Sequence, residues 1–180
     1  MIAYAITDPT TLNFDNLSSD LKRFAKKANM IVYRDKESTN YSSNAKAFII
    51  EAKKHKFDKI LTHGDIDIAC LLKADGVHLS SSQFDIIEKA KFFGLFTVVS
   101  THTLAEVKEA EKLGADMITF SPIFETPNKG KPKGLDVLKE IVSRATIPVI
   151  ALGGILTKEQ IEDCKESGAK GFASIRYFKY

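Results

Sequence analysis

The chain has 180 residues, 44% of them hydrophobic and 27% charged, with a formal net charge of +3. These are ordinary proportions for one soluble globular domain spanning residues 1–180, and no apolar run is long enough to cross a membrane. The lysines are scattered along helical segments instead of forming a block, which argues against nucleic acid and favours an anionic small molecule as partner. The opening apolar run is too short for a secretory signal, so the expected location is the cytoplasm.

Taken in chain order, β-rich runs occupy residues 2–7, 30–33, 59–62, 76–79, 97–100, 117–120, 148–152 and 171–174. Segments with helical spacing lie between them. Leu17, Leu21, Phe24, Ala25 and Ala28 form one, with a short segment at 66–73. Leu104, Val107, Ala110 and Glu111 form another, stopped by Gly114 and capped at its start by Thr103. Leu135, Leu138, Ile141 and Val142 form a third, and Ile161, Cys164 and Lys165 a fourth, ending at Gly168. The phrase Leu113-Gly-Ala-Asp116 returns as Ser167-Gly-Ala-Lys170 and, degenerately, as Leu72-Lys-Ala-Asp75. Each is a helix stop feeding a tight turn into a strand, the mark of a repeated βα unit. Eight such strands without a hairpin signal predict an α/β architecture with an all-parallel sheet, closed as a compact (β/α)8 barrel. The cysteines, Cys70 and Cys164, lack metal-ligand spacing and are expected as reduced core residues.

In such a barrel, function collects where strands end. Those ends read Thr7/Asp8, Arg34/Lys36, His63, His78, Ser100/His102, Ser121 with Thr126/Lys129, Gly153/Gly154 and Ser174. Gly153, Gly154, Ala173 and Ser174 are the expected phosphate site, because strand ends without side chains let backbone N–H groups approach an anion. Arg34 and Lys36 fall on one side of an extended chain and suit a carboxylate or phosphate clamp. Ser100, Thr126 and Lys129 complete the substrate-binding set, with the Pro-, Gly- and Lys-rich stretch 121–134 as a lid. His102, in Ser100-Thr-His-Thr103, is the expected acid/base, since histidine titrates near roughly pH 6.5. His78 is read as a hydrogen-bonded core residue, His55 as solvent-exposed, and His63 is left open. No carboxylate pair has metal spacing, and no cofactor is expected.

These motifs resemble the thiamine-phosphate synthase / TenI family over nearly the whole length. The markers are Tyr4-Ala-Ile-Thr-Asp8, Tyr33-Arg-Asp-Lys36, Ala74-Asp-Gly-Val-His-Leu79, Ser100-Thr-His-Thr103, Ile123-Phe-Glu-Thr-Pro-Asn-Lys129, Pro148-Val-Ile-Ala-Leu-Gly-Gly154 and Gly171-Phe-Ala-Ser174. For the synthase branch, the resemblance implies joining of a hydroxymethylpyrimidine diphosphate to a thiazole phosphate. It also implies Mg²⁺ held by one aspartate after the third strand and another after the fourth. Here those places read His63-Gly64 and Ser80-Ser-Ser-Gln83, with Asp65 displaced by a residue. For the TenI branch, it implies a metal-free thiazole tautomerase that aromatises a carboxythiazole phosphate by a 1,3-proton shift on the histidine matching His102. The tautomerase is therefore the expected function. A divergent synthase recruiting Mg²⁺ through Asp65 or Asp8 is the alternative, and a non-catalytic phosphate-binding barrel is a third. The expected partner is a phosphorylated thiazole, and a homo-oligomer is allowed.

Overall fold

Eight short strands, β1 (Ile2–Ile6), β2 (Met30–Tyr33), β3 (Lys59–His63), β4 (Gly76–Leu79), β5 (Phe96–Thr101), β6 (Met117–Phe120), β7 (Val149–Leu152) and β8 (Gly171–Ser174), close into one parallel barrel in chain order. The computed structural model describes residues 1–179 of the chain. The ring is completed by β1 lying against β8, with Tyr4 opposite Ala173. Seven helices cover the outside: α1 (Leu17–Ala25), α2 (Tyr41–Ala52), α3 (Ile66–Leu71), α4 (Ile87–Phe92), α5 (Leu104–Lys112), α6 (Gly134–Arg144) and α7 (Lys158–Glu166). A 3₁₀ turn, Arg176–Phe178, stands where an eighth helix would.

Strands covered on both faces need apolar residues on both, which is why these runs read as continuous β-branched and aliphatic stretches. The period of two sorts them into two cores. Tyr4, Ile6, Met30, Val32, Leu61, Val98, Met117, Ile150 and Ala173 fill the barrel interior. Their neighbours Ala5, Ile31, Tyr33, Val77, Val99 and Ile118 pack outward with helix residues such as Leu21, Phe24, Phe48, Val107 and Leu138. Continuing the inward parity past the strand ends carries Arg34, His63, Ser80, Ser100, His102 and Ser121 to one rim. That parity positions the site.

The repeated helix-stop phrase works as its spacing implies. Lys73, Gly114 and Gly168 take φ values of 51°, 88° and 90°. The degenerate unit thus places a lysine in the left-handed conformation that glycine holds elsewhere. The aspartates two residues on have a second task. Asp75 Oδ2 accepts the Ile60 N–H at 2.7 Å, and Asp116 Oδ2 accepts the Thr97 N–H at 2.7 Å, fastening the amino-terminal ends of neighbouring strands. Thr103 caps α5, its hydroxyl accepting the Glu106 N–H while Glu106 returns to the cap backbone.

Two expectations require correction. Cys164 is buried, but Cys70 is exposed, because α3 turns that face outward beside the exposed Leu71. His55 is partly covered instead of free in solvent, with Nε2 3.7 Å from Glu51. Two helices, α2 and α4, went unassigned from the sequence. Among the described residues, no helix is long and apolar enough to cross a membrane.

Candidate active site

At the carboxyl-terminal rim of the barrel lies a cavity of about 250 Å³, lined by Arg34, Lys36, His63, His78, Ser80, Ser81, Ser100, His102, Ser121, Pro122, Thr126, Lys129, Leu152 and Gly153, with Ile6 and Ile175 as its apolar floor. It adjoins a second cavity of about 300 Å³, lined by Asp8, Thr10, Thr126, Gly153, Gly154, Ser174, Ile175 and Arg176, among others. The structure therefore gathers Arg34, Lys36, Ser100, His102, Thr126, Lys129 and Gly153 into one hollow, and places Gly154 and Ser174 in its neighbour. Ala173 is the exception. It is fully buried in the barrel interior, since strand parity turns its methyl group inward, and it lines neither cavity.

The first cavity is electrostatically one-sided. Burial lowers the Lys36 pKa, and the nearby Arg34 and Lys129 lower it further. Burial, followed by Arg34 and Lys36, holds His63 down to about 4, so its ring is neutral at pH 7. His78 is lowered well below the ordinary range, first by burial and then by His63 and Arg34. Like charges held together without a carboxylate among the lining residues call for an anion.

His102 is oriented by its backbone surroundings. Nδ1 sits 3.0 Å from the Ser121 carbonyl, which can only accept, so Nδ1 carries the hydrogen. Ser121 Oγ lies 3.3 Å from the same nitrogen. Nε2 is then left with a free lone pair, the form a general base requires.

The missing side chains of the double glycine have a use in packing besides the expected approach of an anion. Both residues have positive φ, 99° at Gly153 and 71° at Gly154. A Cβ at Gly153 would meet Pro122 Cα at 2.7 Å, and one at Gly154 would meet the Glu125 carbonyl oxygen at 2.5 Å. The space left by the absent side chains is filled by the loop after β6. That loop is also tied down by Ile123 N–H donating to Leu152 O and Phe124 N–H donating to Gly153 O. The expected lid is thus fastened at its base, while its tip carries Lys129. Among the described residues, no backbone carbonyl accepts from the Gly153 or Gly154 N–H, so both amides remain available to an anion. The Ser174 hydroxyl is committed elsewhere, donating to Ile155 O at 2.9 Å and accepting from Tyr177 N–H at 3.2 Å. Arg176, which the sequence reading passed over, supplies a cation to the second cavity.

The two positions where the resemblance would put Mg²⁺ ligands are joined directly. Gln83 Nε2 donates to Gly64 O at 2.7 Å, while Gln83 Oε1 accepts from Ser80 N–H at 3.0 Å. Asp65 is turned to α3, where its carboxylate accepts the Ile68 N–H at 2.9 Å. Asp8 accepts from Thr10 N–H and its hydroxyl. Gln83 is neutral, with its Nε2 and Oε1 already engaged by Gly64 and Ser80, and neither position carries a carboxylate, so this set does not fit Mg²⁺ held by a carboxylate pair.

A family model described as thiamine monophosphate synthase matches residues 3–178. An Aquifex aeolicus protein provisionally named thiamine-phosphate synthase 2 is 38% identical, the match covering 97% of this chain and 96% of that one. The thiamine-phosphate synthase of Caldivirga maquilingensis is 35% identical over 96% of this chain and 85% of its own. Among solved structures, the thiamine phosphate pyrophosphorylase of Pyrococcus furiosus superposes with a TM-score of 0.83 at 27% identity, covering 99% of this chain and 90% of that one.

Proposed function

The chain belongs to the thiamine-phosphate synthase / TenI family of thiamine biosynthesis, and within that family we propose that it is a thiazole tautomerase acting on a carboxythiazole phosphate. The observation that carries this reading is the hydrogen bond from Gln83 to Gly64, which joins the two places a metal-dependent transferase would fill with carboxylates. Tautomerisation needs an anion cradle and one proton carrier, and these are the groups the cavity supplies. His102 Nε2 takes the ring proton and becomes an imidazolium, the electrons of that C–H bond move into the ring, and the exocyclic double bond then takes a proton at its outer carbon from Nε2–H. The imidazolium formed in between is stabilised by its Nδ1–H bond to the Ser121 carbonyl, and returning the proton restores the enzyme. Arg34 and Lys36 hold the carboxylate end. The phosphate rests on the Gly153 and Gly154 amides beside Arg176.

The names of the relatives favour a second reading, a thiamine-phosphate synthase, and the convergence of Arg34, Lys36 and Lys129 suits a diphosphate as well. One pair of assays separates the two. Aromatisation of the exocyclic-alkene thiazole phosphate, followed by its ring absorbance, is expected to proceed at an equal rate with magnesium or chelator. Release of pyrophosphate from hydroxymethylpyrimidine diphosphate and thiazole phosphate in magnesium, without aromatisation activity, would reverse the order.

A further inference from the structure

His78, which lines the cavity, and the buried Tyr4 behind it form a polar pair that the proton shift does not use. Tyr4 is 0% exposed, and its hydroxyl lies 2.9 Å from His78 Nδ1. On the other side of the ring, His78 Nε2 lies 3.0 Å from Ser100 Oγ, and Ser100 lines the cavity. We propose that Tyr4, acting through His78, fixes Ser100 as a hydrogen-bond donor into the cavity, so that the substrate atom it meets is an acceptor, a carboxylate oxygen.

The direction follows from counting hydrogens. Among the described residues, the Tyr4 hydroxyl has His78 Nδ1 as its one hydrogen-bond partner, so its proton goes there or is left buried without an acceptor, which is costly. Nδ1 is then the acceptor. A neutral imidazole carries a single hydrogen, which must sit on Nε2 and point at Ser100 Oγ. Burial, together with the neighbouring His63 and Arg34, keeps the ring neutral. Ser100 Oγ thus accepts from below, and its own hydrogen is directed upward. His63, whose ring centroid is 5.8 Å from that of His78, and Arg34, whose charge reaches both histidines, line the same cavity. A donor hydroxyl in a cavity that also holds a guanidinium suits a carboxylate and disfavours a cation or a bare donor. The carboxylate as the matching group rests on the tautomerase reading, whereas the hydrogen-bond direction does not.

Two measurements test these parts separately. In ¹⁵N-histidine-labelled protein at pH 7, with His78 assigned by its loss in His78→Asn, the ring is expected to show a protonated Nε2 and a bare Nδ1. A ring protonated at Nδ1, or at both nitrogens, overturns the relay. In Tyr4→Phe the donor to Nδ1 is gone and a mixture of tautomers is expected; an unchanged pure Nε2–H form removes Tyr4 from the assignment. For the ligand, titration of the aromatic carboxythiazole phosphate is compared with that of the same molecule lacking its carboxylate. Ser100→Ala is expected to weaken the first about tenfold and the second less than about twofold. Equal losses for both overturn the carboxylate contact. Failure of the unmodified protein to bind either thiazole would reject the functional reading, while the ring spectrum would still decide the relay.

Discussion

The two rims of the barrel treat charge in opposite ways. At the amino-terminal rim, acidic and amide side chains are used up by the backbone: Asp75 on Ile60, Asp116 on Thr97, and Asn29 on the Ala3 N–H. Asp116 is also paired with Lys91 at 2.5 Å. At the carboxyl-terminal rim, Arg34, Lys36 and Lys129 crowd together, and among the described residues none of them is in an ion pair. One rim neutralises its charges locally and gains stability. The other keeps like charges together, at a cost to stability that a bound anion relieves.

Substitutions can break this contrast in either direction, and the largest effect is expected on the stabilising rim. A Cβ at Gly76 would fall 1.9 Å from the Phe96 carbonyl oxygen, so Gly76→Ala cannot keep β4 against β5. Soluble yield and thermal melting should show loss of the cooperative fold. On the functional rim, His102→Gln is expected to lower aromatisation by about 10²–10⁴-fold, with product affinity nearly unchanged by calorimetry. Full activity in that variant would remove His102 from the mechanism.

Acid sharpens the contrast next. His63 is held down to about 4 by burial and by Arg34 and Lys36, below its unfolded value near 6.5. The unfolded chain therefore takes up the proton first. The stabilisation is complete above about pH 6.5 and is lost as pH falls towards 4, by on the order of 3 kcal/mol. The carboxythiazole phosphate should blunt that loss, because a carboxylate held by Arg34 and Lys36 favours the His63 imidazolium; denaturant melts from pH 7 to 4.5, with and without that molecule, read both effects. Asp116→Asn should cost about 1–2 kcal/mol in the same melts and leave phosphate affinity unmoved. The smallest expected change in stability is at Lys36→Met, which removes a repelled cation. The free energy of unfolding should rise by no more than about 0.5 kcal/mol while affinity for the carboxythiazole phosphate weakens about tenfold.

Much of this contrast was legible in the sequence because it follows from strand parity. Arg34, His63, Ser100 and His102 each extend an inward row that begins at a core residue, so naming the strands nearly named the cavity. The same parity, applied to β8, would have turned the Ala173 methyl group into the barrel interior, where it lines neither cavity. Arg176 was missed because it follows β8 by two residues, within a 3₁₀ turn that carries no amphipathic pattern. The glycine pair was recognised as a strand end, but its missing side chains make room for the β6 loop, a partner distant in sequence that no local pattern announces. Helix α2 was hidden for a related reason. Its buried face is Ala45, Phe48, Ile49 and Ala52, yet Ile50 is 54% exposed and blurs the apolar stripe.

The pairing of β1 with β8 also has a consequence in time. The second cavity takes Asp8 and Thr10 from beyond the first strand, Ser174 from the end of the last, and Ile175 and Arg176 from beyond it. During synthesis from the amino terminus, the early part of this pocket waits for the latest part to leave the ribosome. A phosphate bound there as proposed would reward only a finished ring, and its binding would report barrel closure as a single event.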